Sequence, residues 1–206
     1  MRQWFLSFAA LALVAAPVLA GKHNTVISIG DKCPATAAIP AVSADGTKEM
    51  SLNLADAKED VVVVAFLANH CPVVQACEDR LFDLVKSYKG KSVKFIGVCC
   101  SNPEMADEDG IAAIKTKIKD GKYNMAYGYD ESGKIGKAFG ATVTPQFFVL
   151  DKDRTIRYTG LLDNGGRDDS KTSKTYVKSA IDALLANESI EETETHAKGC
   201  GISYKR

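Results

Sequence analysis

The residues whose types and spacing most clearly suggest chemistry lie in one short segment, Phe66-Leu-Ala-Asn-His-Cys-Pro72. The β-branched run from Val61 to Leu67 predicts a strand that is buried on both faces. The apolar spacing after the segment predicts a helix. Cys71 therefore falls where a helix begins, and the free N–H groups and partial positive charge at that point stabilise a thiolate. Because His70 can add a further positive charge, we interpret Cys71 as a reactive nucleophile rather than an inert buried cysteine.

A second feature that could contribute to a reactive site is Thr144-Pro145, which opens an apolar run that ends at Leu150. Proline has no N–H for a sheet ladder, so it is found at strand starts or at sheet edges. A cis bond would bend the chain tightly beside the start of the helix. Only about 5% of X–Pro bonds are cis, and the residues alone leave the isomer open.

The chain contains six cysteines, and its sequence leaves open which of them pairs with Cys71. Cys77 lies about 9 Å further along the same helix and on a different face. Because a disulfide needs Cα atoms within about 7 Å, pairing with Cys77 would require the first turn of the helix to unwind. Cys200 lies between two glycines in a polar tail that could reach several places. Cys99 and Cys100 end a strand at the same sheet edge, and side-chain alternation lets at most one of them face the site. The candidate resolving cysteines are therefore Cys77, Cys200 and Cys100.

Composition and charge narrow the remaining classes of function. Hydrophobic residues make up 46% and charged residues 25% of the chain, which is typical of a globular protein. Basic and acidic residues number 26 each, so the chain lacks the positive excess that nucleic-acid binding requires. His70, Cys71 and Cys77 are soft metal ligands, but their spacing is not that of a zinc site. We expect no metal, no cofactor and no nucleic-acid partner. For Cys33, a structural role, either as a disulfide with Cys200 or as a buried thiol, is as compatible with the sequence as a redox role.

Residues 1–20 have the pattern of a secretory signal peptide. Arg2 precedes an apolar run, and the small residues Val18 and Ala20 precede Gly21 as at a cleavage site. An uncleaved anchor is the alternative, because the run reaches about 18 residues, but Pro17 stands at its end. We therefore expect export to a periplasmic or extracellular compartment where disulfides persist, with no membrane span after cleavage.

The apolar patterns of the mature chain predict alternating strands and helices. The predicted elements, in chain order, are a hairpin around 44–47, strands at 61–67 and 93–99 with a helix between them, helices at 107–119 and 132–139, strands at 143–150 and 156–161, and a helix at 175–186. We expect the acidic residues Asp107, Glu108 and Asp109 to favour the start of their helix. The order predicts an α/β domain over residues 21–186, with a mixed central sheet, helices on both faces and an N-terminal β-hairpin extension. Residues 187–206 form the tail.

Taken together, several segments resemble the thioredoxin-like superfamily and, within it, the alkyl hydroperoxide reductase/thiol-specific antioxidant (AhpC/TSA) family of redoxins and peroxiredoxin-like proteins. They are Ile29-Gly-Asp-Lys-Cys-Pro34, Phe66 to Cys71, Tyr129-Asp-Glu-Ser132, Ala138-Phe-Gly-Ala141, Thr144-Pro145-Gln-Phe-Phe-Val-Leu-Asp151 and Gly199-Cys-Gly-Ile-Ser203. The resemblance implies a thioredoxin-like fold, with Cys71 as the redox nucleophile and Pro145 as a cis-proline that faces it. Thr144 and His70 complete the candidate site. The implied partners are an external dithiol reductant and a peroxide or disulfide substrate.

Three positions depart from the patterns of these relatives, and one of them is Val143, which stands where some relatives have a cysteine before the Thr-Pro pair. Val74 stands where thioredoxins have a second cysteine, and Ala68 stands where peroxiredoxins have a threonine three residues before the reactive cysteine. We predict an exported thiol–disulfide oxidoreductase or peroxiredoxin-like antioxidant that uses Cys71 and reduces peroxide slowly. The alternative is a non-catalytic redoxin-like binding module whose cysteines form structural disulfides.

Overall fold

A seven-stranded mixed sheet forms the centre of the computed structural model, which describes residues 21–102, 104, 106–119 and 123–205. The expected signal peptide, residues 1–20, lies outside the described residues. The strands of the sheet are β1 (Ile39–Val42), β2 (Glu49–Leu52), β3 (Val61–Phe66), β4 (Val93–Cys99), β5 (Ala126–Tyr129), β7 (Gln146–Leu150) and β8 (Ile156–Gly160). Their spatial order is β2-β1-β5-β4-β3-β7-β8. A separate pair consists of β6 (Val143–Thr144) and β9 (Cys200–Gly201).

The helices lie on both faces of this sheet, as the sequence predicts. They are α1 (Pro72–Ser87), α2 (Ile111–Lys119), α3 (Lys134–Phe139) and α4 (Tyr176–Ala186). Apolar residues of α1, α2 and α4 share one buried cluster, which includes Leu81, Ile114 and Ile181. Residues of α3 belong to a second cluster on the opposite face, where Phe139 packs against Phe66.

The central strand β3 positions the candidate nucleophile. All six of its residues are buried, because β-branched side chains fill the space on both faces of the sheet. It runs parallel to β4 and antiparallel to β7. The parallel strands β3 and β4 end at the same edge, where Cys71 follows β3 after a short loop.

The N-terminal hairpin is present as β1 and β2, and β1 joins the main sheet by pairing with β5. The sequence interpretation missed β5, because Ala126-Tyr-Gly-Tyr129 has none of the β-branched residues that mark the other strands. Its glycine has a packing role, since a Cβ on Gly128 would lie only 2.6 Å from a carbon of Ile39. The strand therefore depends on a tertiary contact with the hairpin rather than on local propensity.

The helix expected at 107–119 begins later than predicted. Residues Asp107–Asp109 form a 3-10 turn, and α2 starts only at Ile111 after Gly110. Asp109 is fully buried, so it does not act as a solvated charge at the helix start.

The C-terminal segment folds back across the domain instead of extending away from it. Thr195 is buried, and its Oγ1 lies 2.8 Å from the hydroxyl of Tyr158. At the far end, the hydroxyl of Tyr204 donates a hydrogen bond of 2.6 Å to the carbonyl of Ala141. The segment that carries Cys200 is therefore anchored on both sides. Within the described part of the chain, no helix combines the length and apolar character needed to cross a membrane.

Candidate redox site

A disulfide between Cys71 and Cys200 lies at the carboxyl edge of β3, with the two Cα atoms 5.9 Å apart. Cys71 is the N-cap residue of α1, and Pro72 occupies the first helical position. That position suits proline, because the first N–H groups of a helix have no intrahelical partner. Cys71 is fully buried, whereas Cys200 is half-buried. Of the candidate partners of Cys71, the structure pairs Cys200 with it.

The strand pair β6–β9 holds Cys200 beside Cys71. Thr144 is in register with Cys200, and the carbonyl oxygen of Thr144 lies 3.2 Å from Cys71 Sγ. The Thr144–Pro145 bond is cis. A Cβ at position 199 would overlap that same carbonyl, so Gly199 allows the tail to come this close. Pro145 follows Thr144 directly and therefore lies at the same sheet edge as Cys71.

His70 is oriented by a carboxylate that the sequence interpretation did not single out. Asp109 Oδ2 lies 2.6 Å from His70 Nδ1, and Oδ1 accepts hydrogen bonds from the backbone N–H groups of Asn69 (2.7 Å) and His70 (3.3 Å). About a third of the His70 side chain is exposed, while Asp109 is completely buried. This carboxylate therefore fixes the loop before Cys71. No local signal distinguished it from the neighbouring exposed acidic residues.

Two candidate resolving cysteines are corrected by the structure. Cys77 is a free, buried thiol inside α1 that donates to the carbonyl of Val74. Cys100 is also free, and it packs in the cluster on the opposite face of the sheet from Cys71. Cys77 does not pair because an intact helix keeps it on another turn, and Cys100 does not because alternation turns it away.

Burial keeps the free thiols protonated at neutral pH. It raises the pKa of Cys33 to about 11 and the pKa of Cys77 and of Cys99 to about 12. Burial likewise raises the pKa of Cys100 well above its usual range. Since the thiolate is the attacking form of cysteine, these four residues are poor nucleophiles. Among the described residues, no group of three or more His, Cys, Asp and Glu side chains is placed to hold a metal ion.

A cysteine at a helix start, facing a cis-proline across the edge of this mixed sheet, defines a thioredoxin-like protein. The family model for AhpC/TSA matches residues 29–159, more than half of the chain, and the protein belongs to the AhpC/TSA family. No curated protein matches its sequence significantly.

Solved structures agree with this fold. An uncharacterized conserved protein from Geobacillus kaustophilus is 27% identical, with a TM-score of 0.78, covering 93% of this chain and 98% of that chain. A hypothetical protein from Sinorhizobium meliloti 1021 is 25% identical, with a TM-score of 0.75, covering 88% of this chain and 97% of that one. AhpC from Mycobacterium tuberculosis, at 18% identity, a TM-score of 0.53 and coverage of 79% and 96%, is similar in fold.

Proposed function

We propose that this protein is a thiol-dependent oxidoreductase in which Cys71 attacks the substrate and Cys200 closes the disulfide. The observation that carries the proposal is the sulfur–sulfur bond between a cysteine at the start of α1 and a half-buried cysteine on the anchored tail. Membership of the AhpC/TSA family, whose activities depend on thiols, supports the same general chemistry.

The proposed reaction uses the two cysteines in sequence. With a disulfide substrate, the Cys71 thiolate forms a mixed disulfide and releases one substrate thiolate. The Cys200 thiolate then attacks Cys71 Sγ, forms the bond seen here and releases the second thiolate. With a peroxide, Cys71 takes one oxygen to become a sulfenic acid, an alcohol or water leaves, and condensation with Cys200 releases water. An external thiol reductant supplies two electrons and reopens the bond.

The anchored tail favours the second step. Contacts at Thr195 and Tyr204 hold the segment on both sides of Cys200. The pairing of β9 with β6 then leaves the two Cα atoms at disulfide distance. Because little conformational freedom is lost on closure, the effective concentration of Cys200 at Cys71 is high.

We also propose that the protein is exported, on the basis of the signal-like pattern of residues 1–20. A disulfide that joins the tail to the site suits an oxidising compartment. Mass analysis of the recovered protein identifies its N-terminal residue, which is Gly21 if the segment is removed. A chain that still begins at residue 1 would contradict cleavage.

Thiol mapping of the folded, exported protein tests the proposed function. After a mild dithiol treatment and alkylation at pH 7, we expect label on Cys71 and Cys200 only. Cys33, Cys77 and Cys99 should stay unlabelled, because pKa values of about 11 to 12 keep them protonated. Without alkylation, removal of the dithiol and addition of a small disulfide as the two-electron oxidant should restore the bond.

The alternative function, a non-catalytic binding module, gives a different map. A structural disulfide has a reduction potential below about −300 mV and stays closed under mild treatment. If Cys71 and Cys200 are alkylated only after the protein has unfolded, the bond is a structural disulfide and the oxidoreductase proposal is wrong.

Disulfides should be better oxidants of this site than hydrogen peroxide. Reduction of peroxide needs hydrogen-bond donors that polarise the O–O bond, but Ala68 has no donor side chain. Among the described residues, the polar partner within hydrogen-bonding distance of Cys71 Sγ is the Thr144 carbonyl, which can only accept. Stopped-flow measurements on the reduced protein should therefore give a rate constant for hydrogen peroxide about two orders of magnitude below that for a small disulfide. Loss of one hydrogen-bond donor has an effect of this size in other active sites. Equal rates would show that another donor serves the site.

A further inference from the structure

An open cleft of about 500 Å³ adjoins the disulfide and takes no part in the chemistry proposed so far. It is bordered by residues that flank both cysteines, Val73 near Cys71 and Gly199 next to Cys200. Pro145 lies on the same border. A molecule in this cleft is therefore close to the sulfur–sulfur bond.

The walls of the cleft combine apolar and cationic side chains. Leu161, Leu162 and Tyr176 supply apolar surface. Arg167 and Lys198 are exposed, and neither has an ion-pair partner within the described part of the chain. Small-molecule sites typically have this composition, in which apolar walls hold the body of a ligand and a few charged groups fix its orientation.

The two other charged residues that line the cleft, Arg80 and Asp163, form an ion pair. Arg80 Nε lies 2.7 Å from Asp163 Oδ2, its second nitrogen lies 3.2 Å from Oδ1, and the same side chain contacts Asp169. Since Asp163 is the carboxylate that lines the cleft, its charge is already neutralised by Arg80. Two free positive charges remain, on Arg167 and Lys198.

We propose that this cleft binds the reductant, and that the reductant is a small thiol that carries a carboxylate. Arg167 and Lys198 hold the carboxylate while the apolar walls hold the remainder of the molecule. The proposal rests on the proposed function, because it names the class of molecule that reopens the Cys71–Cys200 bond. A volume of about 500 Å³ suits a molecule of a few residues rather than a folded protein.

The proposed exchange begins at Cys200. This residue is half-buried, whereas Cys71 is fully buried, so a thiolate in the cleft meets Cys200 Sγ first. The attack forms a mixed disulfide on Cys200, and Cys71 leaves as a thiolate that the start of α1 stabilises. A second thiolate then attacks the mixed disulfide, which frees Cys200 as a thiolate and leaves the reductant as its own disulfide. Two electrons pass to the protein, and the thiolates exchange protons with water.

The test measures how fast three small thiols reduce the disulfide of the full-length folded protein at low ionic strength. The probes all attack as thiolates and differ in their second group, which is a carboxylate in 3-mercaptopropionate, an uncharged hydroxyl in 2-mercaptoethanol and an ammonium in cysteamine. The double variant Arg167→Glu with Lys198→Glu reverses the charge of the cleft. Lys48→Glu, in the exposed turn of the β1–β2 hairpin, is the control for a change of net charge far from the cleft. Each rate constant is divided by the wild-type value for the same thiol, which removes differences in intrinsic reactivity.

Because every probe attacks as a thiolate, the effect of the second group is given by each rate relative to that of 2-mercaptoethanol. On this relative scale we expect the double variant to react about tenfold more slowly with 3-mercaptopropionate and several-fold faster with cysteamine, and the effect to shrink in high salt. All rates of Lys48→Glu should stay within about twofold of wild type, because its change of charge lies far from the cleft. The milder pair Arg167→Gln with Lys198→Gln should show a smaller shift in the same directions.

Each other outcome has a distinct meaning. Unchanged rates with 3-mercaptopropionate, or an equal loss with all three thiols, would overturn the cleft proposal while reduction by 2-mercaptoethanol still supports the proposed function. If none of the thiols reduces the wild-type disulfide, the proposed function itself fails.

Discussion

Replacement of Cys71 by serine is expected to lower the rate of disulfide exchange by about 10³-fold or more, to the level of the buffer reaction. The physical reason is that Cys71 is the thiol at a helix start, where the free N–H groups stabilise the attacking thiolate. Exchange with a small disulfide, followed spectroscopically at pH 7, measures the effect. Serine has nearly the same size, so the loss reflects chemistry rather than packing.

Two matched variants separate the roles of the cysteines. Cys200→Ser should retain the first reaction of Cys71 with the substrate but accumulate a mixed disulfide, because nothing closes the bond. Cys33→Ser should exchange at the wild-type rate, since Cys33 is remote from the disulfide and unpaired. If Cys71→Ser retains the wild-type rate, or if only Cys200→Ser abolishes the first reaction, then Cys71 is not the nucleophile.

The parts of the fold that the sequence predicted are those set by local pattern. The continuous apolar run of β3 is rich in β-branched residues, and this pattern predicts a strand that is covered on both faces. The amphipathic spacing after Cys71 gave α1 in the same way. Since strand and helix meet at Cys71, the position of the candidate nucleophile followed from local rules. Local rules placed Pro145 at a strand start, whereas its position opposite Cys71 was implied by the family resemblance.

Local sequence patterns could not identify the disulfide partner of Cys71, because that partner depends on the path of the C-terminal segment. That path is set by contacts distant in sequence, such as those of Thr195 with Tyr158 and of Tyr204 with Ala141. The two-residue strand β9 has no pattern of its own and exists only through its pairing with β6. Local rules could therefore name Cys200 as a candidate but could not choose it.

The role of Asp109 in holding the loop before Cys71 could not be predicted for a similar reason. It belongs to a run of acidic residues that local rules treat as a charged helix start. Only the tertiary fold brings it under the loop of Asn69 and His70, where burial and three short contacts distinguish it from Asp107. The sequence therefore named the candidate nucleophile of the site but not the group that holds its loop.

Replacement of Asp109 by alanine is expected to lower the free energy of unfolding by about 3 kcal/mol, because it removes the charged acceptor of two backbone N–H groups and of the His70 imidazole. Asp107→Ala, in the same 3-10 turn but exposed, should change it by less than about 0.5 kcal/mol. Denaturant unfolding of the disulfide-bonded protein measures both values.

The same substitution should affect Cys71 even where the protein remains folded, because the loop that Asp109 fixes leads directly into the helix start. We expect the alkylation rate of reduced Cys71 at pH 7 to fall several-fold in Asp109→Ala, by the modest factor typical of a group that only positions a reactive side chain. Asp109→Asn should recover part of this rate, since its amide oxygen can still accept from the Asn69 N–H, while its pH profile should differ because the carboxylate facing His70 is lost. If Asp109→Ala is destabilised but alkylates at the wild-type rate with the wild-type pH profile, the residue supports only the fold and has no positioning role at the redox site.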